Sequence, residues 1–188
     1  MSGKFNVMKA IQVAAKLLSF EHRSTMGRLR LVKLLYIADR KCLKETGRFM
    51  IGDHAVAMDC GPVHSTVYNM IKGESIHDKE WARYIRNDGP RDVQLHGSPG
   101  NSELSRHEIQ ILRRVSEDLM SQDDSDLINL THLFGEYKKA DSNREPKSSV
   151  RIPVEDIIEG VNRADDSEEI LRDMNDASAF DAFFGRAS

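Results

Sequence analysis

A mostly helical α+β fold is predicted by three observations: a compact multi-helix domain with a short strand after the second helix, a small β-hairpin and a helical C-terminal extension. Apolar residues recur at three- and four-residue spacing along much of the chain, the period of amphipathic helices. His54-Ala-Val-Ala-Met58 is too short and too evenly apolar for a helix and suits a buried strand. Ser105-Arg-His-Glu108 is a capping box, in which Ser105 and Glu108 each satisfy the other's backbone amide at a helix start.

Val7, Ala10, Ile11, Ala14, Leu17 and Leu18 define the first helix, with Lys9, Gln12 and Lys16 on its outer side. A polar break at Glu21-His-Arg-Ser24 follows, with Ser24 as the expected N-cap of the second helix. There Leu29, Leu31, Val32, Leu34, Leu35, Tyr36, Ile37 and Ala38 leave almost no polar face, so this helix belongs at the centre of a bundle. Gly47 is its expected terminator, since glycine takes the left-handed conformation at little steric cost. Gly52-Asp53 turns the chain into the strand, Gly61-Pro62 is expected to close it, and Val63, Val67, Met70 and Ile71 open a short helix. Trp81 to Leu95, centred on Asn87-Asp-Gly-Pro90, reads as the hairpin, and 97–101 as a loop.

Beyond the capping box, Ile109, Leu112, Val115 and Leu119 form an inner helical face, and Asp124-Ser125 restarts the chain for Leu127, Ile128, Leu130 and Leu133. The polar, proline-containing stretch 141–152 is the expected linker. Residues 153–188 read as an acidic helical extension, with Val154, Ile157, Ile158 and Val161 on one short helix and Ile170, Leu171 and Met174 on another. Phe180, Phe183 and Phe184 stand at i, i+3 and i+4 near the end. That spacing suits helix-in-groove recognition, or docking on the chain's own core.

At 188 residues, 39% hydrophobic and 30% charged, the chain has the profile of one soluble domain with appendages. Met1–Asn6 carries no apolar signal core and no stretch reaches the length of a spanning helix, so a cytoplasmic location without membrane contact is expected. Two cysteines, Cys42 and Cys60, are too few for a disulfide framework. Residues 1–50 hold eleven Lys or Arg against three acids, whereas 155–181 hold ten acids against two arginines. The basic half could meet nucleic acid, but the acidic extension competes for the same surface by intramolecular attraction.

No spacing of a closed zinc site occurs, nor any phosphate-binding glycine loop. The nearest catalytic constellation is Asp59-Cys60 with His64, which needs the imidazole within hydrogen-bond reach of the thiol. His54 and His132 read as satisfied polar residues. Asp39, on the apolar second helix, must face solvent or accept bonds from Tyr68, Lys33 or a backbone amide.

Lys33-Leu-Leu-Tyr36-Ile-Ala-Asp39, Gly47, Ala57, Gly61-Pro62-Val63 and Val67-Tyr68, followed by Leu104-Ser105, Thr131-His132, Tyr137 and Ala140, together resemble the Panacea domain, the SocA-like antitoxin domain of bacterial and phage toxin–antitoxin systems. The resemblance spans residues 5–140; Met58 and Cys60 stand where aromatic residues are common in the family, and Tyr137 where tryptophan is usual. It implies a mostly helical antitoxin that neutralises a cognate toxin by direct binding, without catalysis or cofactor. Lys33, Tyr36, Asp39, Gly47, Gly61, Pro62, Val63, Tyr68 and His132 then carry the family motif, as structural or interaction residues, and Phe180, Phe183 and Phe184 are the candidates for partner contact. The alternatives are a regulator binding operator DNA through the basic half, an adaptor delivering its partner to a protease or chaperone, and an enzyme using Cys60, His64 and Asp59.

Overall fold

A computed structural model describes the backbone of residues 5–184 and the side chains of 5–176. Among the described residues, nine α-helices accompany two three-stranded antiparallel sheets. Helix α1 (Val7–Ser19) starts on Asn6, whose side chain accepts the Lys9 amide at 2.9 Å. Strand β1 (Thr25–Gly27) then leads into α2 (Arg28–Thr46). As its sequence demands, α2 is buried along almost its whole length, from Leu31 to Leu43, and α1, α5 and α6 pack round it. It ends at Gly47, at φ 73°, whose amide bonds the Leu43 carbonyl at 2.9 Å.

Strands β2 (Ala55–Met58) and β3 (Gly61–His64) form a hairpin, followed by α3 (Ser65–Lys72) and α4 (Asp78–Trp81). Helix α3 is capped from a distance: the Asp53 carboxylate accepts the amides of Thr66 (2.7 Å) and Val67 (3.0 Å). Strands β4 (Ile85–Asp88) and β5 (Asp92–Leu95) make the second hairpin, and α5 (Arg106–Asp118), α6 (Asp124–His132) and α7 (Gly135–Asp141) follow. The capping box at Ser105 is formed in both directions, at 3.2 and 2.7 Å. Strand β6 (Val150–Arg151), α8 (Val154–Gly160) and α9 (Ser167–Phe184) complete the chain. The sheets run β1-β5-β4 and β3-β2-β6.

Several local expectations are corrected. Ser24 caps nothing; it sits at φ 51° in a tight turn, and the residues after it form β1 against β5, so α2 starts at Arg28 with Gly27 at its cap. Gly61-Pro62 does not close the strand but begins its partner, and the turn is Asp59-Cys60. Pro62 is tolerated because β3 lies at a sheet edge, where its missing N–H breaks no ladder. Val63 is therefore in a strand, and Trp81 belongs to α4 rather than to the hairpin. On α5 Leu112 and Val115 are buried as expected and Ile111 joins them, while Ile109 and Leu119 are half-buried; Leu133 is 66% exposed.

Residues 141–152, expected as a linker, hold β6, which pairs Val56 with Arg151 and Ala57 with Val150. Arg144 ties the same segment to Asp59 (2.6 Å) and Asp141 (2.7 Å). The apolar interior has two parts that meet along α2. The larger gathers α1, α3, α5 and the inner face of α2; the smaller joins Tyr36, Leu43, Ala55 and Tyr137 to Ile152, Ile157, Ile158, Val161 and Ile170. The start of the acidic extension thus belongs to the core, helped by an exposed Arg48–Asp173 pair at 3.3 Å.

Candidate functional site: a groove above a buried polar core

Lys33, Tyr36 and Asp39 stand at i, i+3 and i+6 on α2, a spacing that turns them progressively round the helix, and all three are buried. Lys33 points to β3, where its Nζ donates to the Pro62 carbonyl at 3.0 Å. Its side chain is 1% exposed, and burial pulls its pKa from 10.5 down to about 8. Gly61, at φ 98°, is required beside it: a Cβ there would lie 2.7 Å from Thr131 Oγ1 and 2.9 Å from Lys33 Nζ. His132 stacks on Tyr137, with ring centroids 4.6 Å apart and planes at 10°, and the Tyr137 hydroxyl donates to the Met58 carbonyl at 3.0 Å. Burial, then the charge of Lys33, holds the His132 imidazole below its ordinary pKa.

Further along α2 lies a second polar group. Asp39 Oδ1 accepts the amides of Met50 (2.5 Å) and Ile51 (2.9 Å), and Oδ2 lies 3.3 Å from His64 Nε2. Of the donors anticipated from sequence, the backbone amides are used and Tyr68 and Lys33 are not. Burial pushes the Asp39 pKa up, while His64 and the neighbouring amides pull it down. Tyr36 packs its ring 5.5 Å from that of His64 and donates its hydroxyl to Glu136 Oε1 at 3.2 Å. Burial first, then the Glu136 charge, raises the tyrosine's pKa well above its ordinary value. Arg40 Nε reaches the same oxygen at 2.8 Å and its guanidinium also bonds the Gly160 carbonyl. A side chain at position 160 would collide with Glu136, so helix α8 approaches α7 closely only as glycine.

These two polar groups fix α2 against β3, α7 and α8. Above the first, a groove of about 440 Å³ opens between α2, the β2–β3 turn and α3. Lys33, Gly61, Val63 and Tyr68, motif residues separated in sequence, all line it. Tyr36 and Asp39 lie in the second polar group instead, and Gly47 closes the helix beside Arg163. Phe180, Phe183 and Phe184 fall among residues whose side chains lie outside those described.

The Asp59-Cys60-His64 set is dispersed. Cys60 is exposed in the turn, whereas His64 is buried at the other end of β3, facing Asp39. Four residues of strand span about 13 Å. Asp59 is taken up by Arg144, whose hydrogen bond holds the carboxyl below its usual range. Among the described residues no group of three His, Cys, Asp or Glu is arranged to hold a metal, and no helix is long and apolar enough to cross a membrane.

Sequence reasoning missed Glu136, Arg40, Arg144 and Gly160. Glu136 and Arg40 look like surface charges when read alone; their pairing joins residues 96 apart. Only the apolar neighbours of Glu136, Phe134 and Tyr137, hinted at its burial.

Buried polar contacts thus fix the central helix of the domain, and one of them, Lys33 on the Pro62 carbonyl, borders an open groove. The family model described as Antitoxin SocA-like, Panacea domain matches residues 31–138, more than half of the chain, and the chain belongs to that family. This places it among proteins of toxin–antitoxin systems; α1 and β1 precede the matched segment. Neither the curated proteins nor the solved structures contain a match.

Proposed function

We propose that this protein is an antitoxin that neutralises a cognate toxin by direct protein–protein binding in the cytoplasm, without catalysing a reaction. The observation that carries the reading is the convergence of Lys33, Gly61, Val63 and Tyr68 on one open groove, held by a scaffold that family membership ties to toxin–antitoxin pairs. The dispersal of Cys60 from His64 supports a non-catalytic role.

The basic excess of residues 1–50, which motivates a nucleic-acid reading, is largely engaged within the fold. Arg30 bonds the carbonyls of Leu119 and Gln122, Lys9 pairs with Glu108, Arg40 with Glu136 and Lys41 with Asp118. A phosphate backbone needs cations free along a track, so this distribution favours a protein partner.

The test is co-expression of the full chain with the neighbouring reading frame that is toxic when expressed alone. Growth should be restored and the two proteins should elute as one complex. Restored growth with the two eluting separately, or no restoration, overturns the reading.

A further inference from the structure

The groove has a chemistry of its own. Val32, Val63, Tyr68 and Ile71 make its floor and inner wall apolar, while Arg28, Lys33, Lys72 and Lys147 bring four cations to it against one carboxylate, Asp59. Asp59 does not offset them freely, because Arg144 (2.6 Å) and the Lys147 amide (3.2 Å) already occupy it. Lys72 has Glu74 at 2.6 Å, but that pair is exposed and easily exchanged.

Two of the cations have unspent donors in buried positions. An ammonium has three N–H bonds, and the Pro62 carbonyl is the acceptor found for Lys33 among the described residues. The buried Nε of Arg28 has no partner among the described residues, while the same guanidinium bonds the Gly89 carbonyl at 3.3 Å. A buried cation short of acceptors is costly, and Lys33 lies in the wall of the cavity beneath the exposed rim cations Lys72 and Lys147.

We infer that the groove is the docking site for an acidic segment of the toxin, which lays an apolar side chain against Tyr68 and Ile71 and presents an Asp or Glu carboxylate to the rim cations Lys72 and Lys147, within the field of the buried Lys33 charge. This deepens the antitoxin reading and rests on it. The aliphatic floor distinguishes a peptide from nucleic acid: Val32, Val63 and Ile71 match an apolar side chain, and the cations surround one cavity instead of following a line.

The probe is the purified toxin, titrated with the full chain, together with a duplex of about 20 base pairs as the nucleic-acid arm. The rim variant Lys72→Glu/Lys147→Glu should raise the Kd for toxin about tenfold or more, whereas Arg106→Glu/Lys138→Glu, an equal charge change on exposed positions outside the groove, should alter it less than about twofold. Lys33→Met, which keeps a similar shape and removes the charge, should weaken toxin binding by about tenfold as well. Thermal melting of each variant verifies the fold. Wild-type affinity in both the rim and Lys33 variants overturns this inference and leaves the antitoxin reading intact. Rim reversal that abolishes duplex binding and spares the toxin also overturns it, and a wild-type chain that forms no toxin complex overturns both.

Discussion

Replacing Lys33 by methionine should make the protein more stable at neutral pH. Burial lowers the amine's pKa from 10.5 to about 8, so at pH 7 the fold carries a charged group it would prefer neutral. At about 1.4 kcal/mol per pKa unit this penalty is about 3 kcal/mol. Methionine fills a similar volume without the charge and forfeits the hydrogen bond to the Pro62 carbonyl, worth about 1–2 kcal/mol. The net expectation is a gain of about 1–2 kcal/mol. Between about pH 8 and 10.5 the unfolded chain holds the Lys33 proton that the native state has released, so the wild type regains stability as pH rises through that window. About 2 kcal/mol of the penalty is gone by roughly pH 9.5, and the variant's advantage should vanish there. Urea unfolding of both proteins at the two pH values measures this, since the difference between them cancels every other titrating group. A variant less stable at pH 7, or a gap that does not change with pH, refutes the reasoning.

Three further outcomes follow from the same geometry. Gly61→Ala forces a Cβ against Thr131 and Lys33 at a left-handed φ, and should cost about 2–4 kcal/mol in urea unfolding. Arg40→Met strands the fully buried Glu136 carboxylate and should cost about 3 kcal/mol, while the double variant Arg40→Met/Glu136→Gln recovers most of the loss in a double-mutant cycle. Truncation after Ala140 removes Ile152, Ile157, Ile158, Val161 and Ile170 from the smaller core, a loss of about 5 kcal/mol or more, and should yield an aggregating or partly unfolded chain by circular dichroism. Truncation after Asp176 keeps all of these side chains, which makes it the form in which to test whether Phe180, Phe183 and Phe184 contribute to binding.

The sequence was most legible where one local rule decides the outcome. The apolar belt of α2, the Gly47 terminator and the Ser105 capping box depend on residues within a turn or two of each other, and all three form. Strand partners were less visible. Thr25–Gly27 has no strand signature of its own; it becomes β1 because β5 offers an edge, and that displaces the expected cap at Ser24. Gly61-Pro62 reads as a turn because both residue types favour turns, yet the edge position of β3 accommodates them in a strand. Of the site, the motif residues could be named, but their division between a groove and a separate Asp39–His64 pair could not. That division depends on how far round α2 each side chain points and on what packs there. Glu136 was invisible for the same reason: a carboxylate in the first turn of a helix looks solvated until Arg40, 96 residues earlier, is placed beside it.

Direct neutralisation is tested most simply with two purified components. The toxin's own activity is measured while the full chain is added, with no protease, chaperone or nucleic acid beyond the toxin's substrate. The account predicts inhibition that rises to completion at a fixed stoichiometry and is weakened by Lys72→Glu/Lys147→Glu. Toxin activity unchanged by a saturating excess of the folded protein would contradict it.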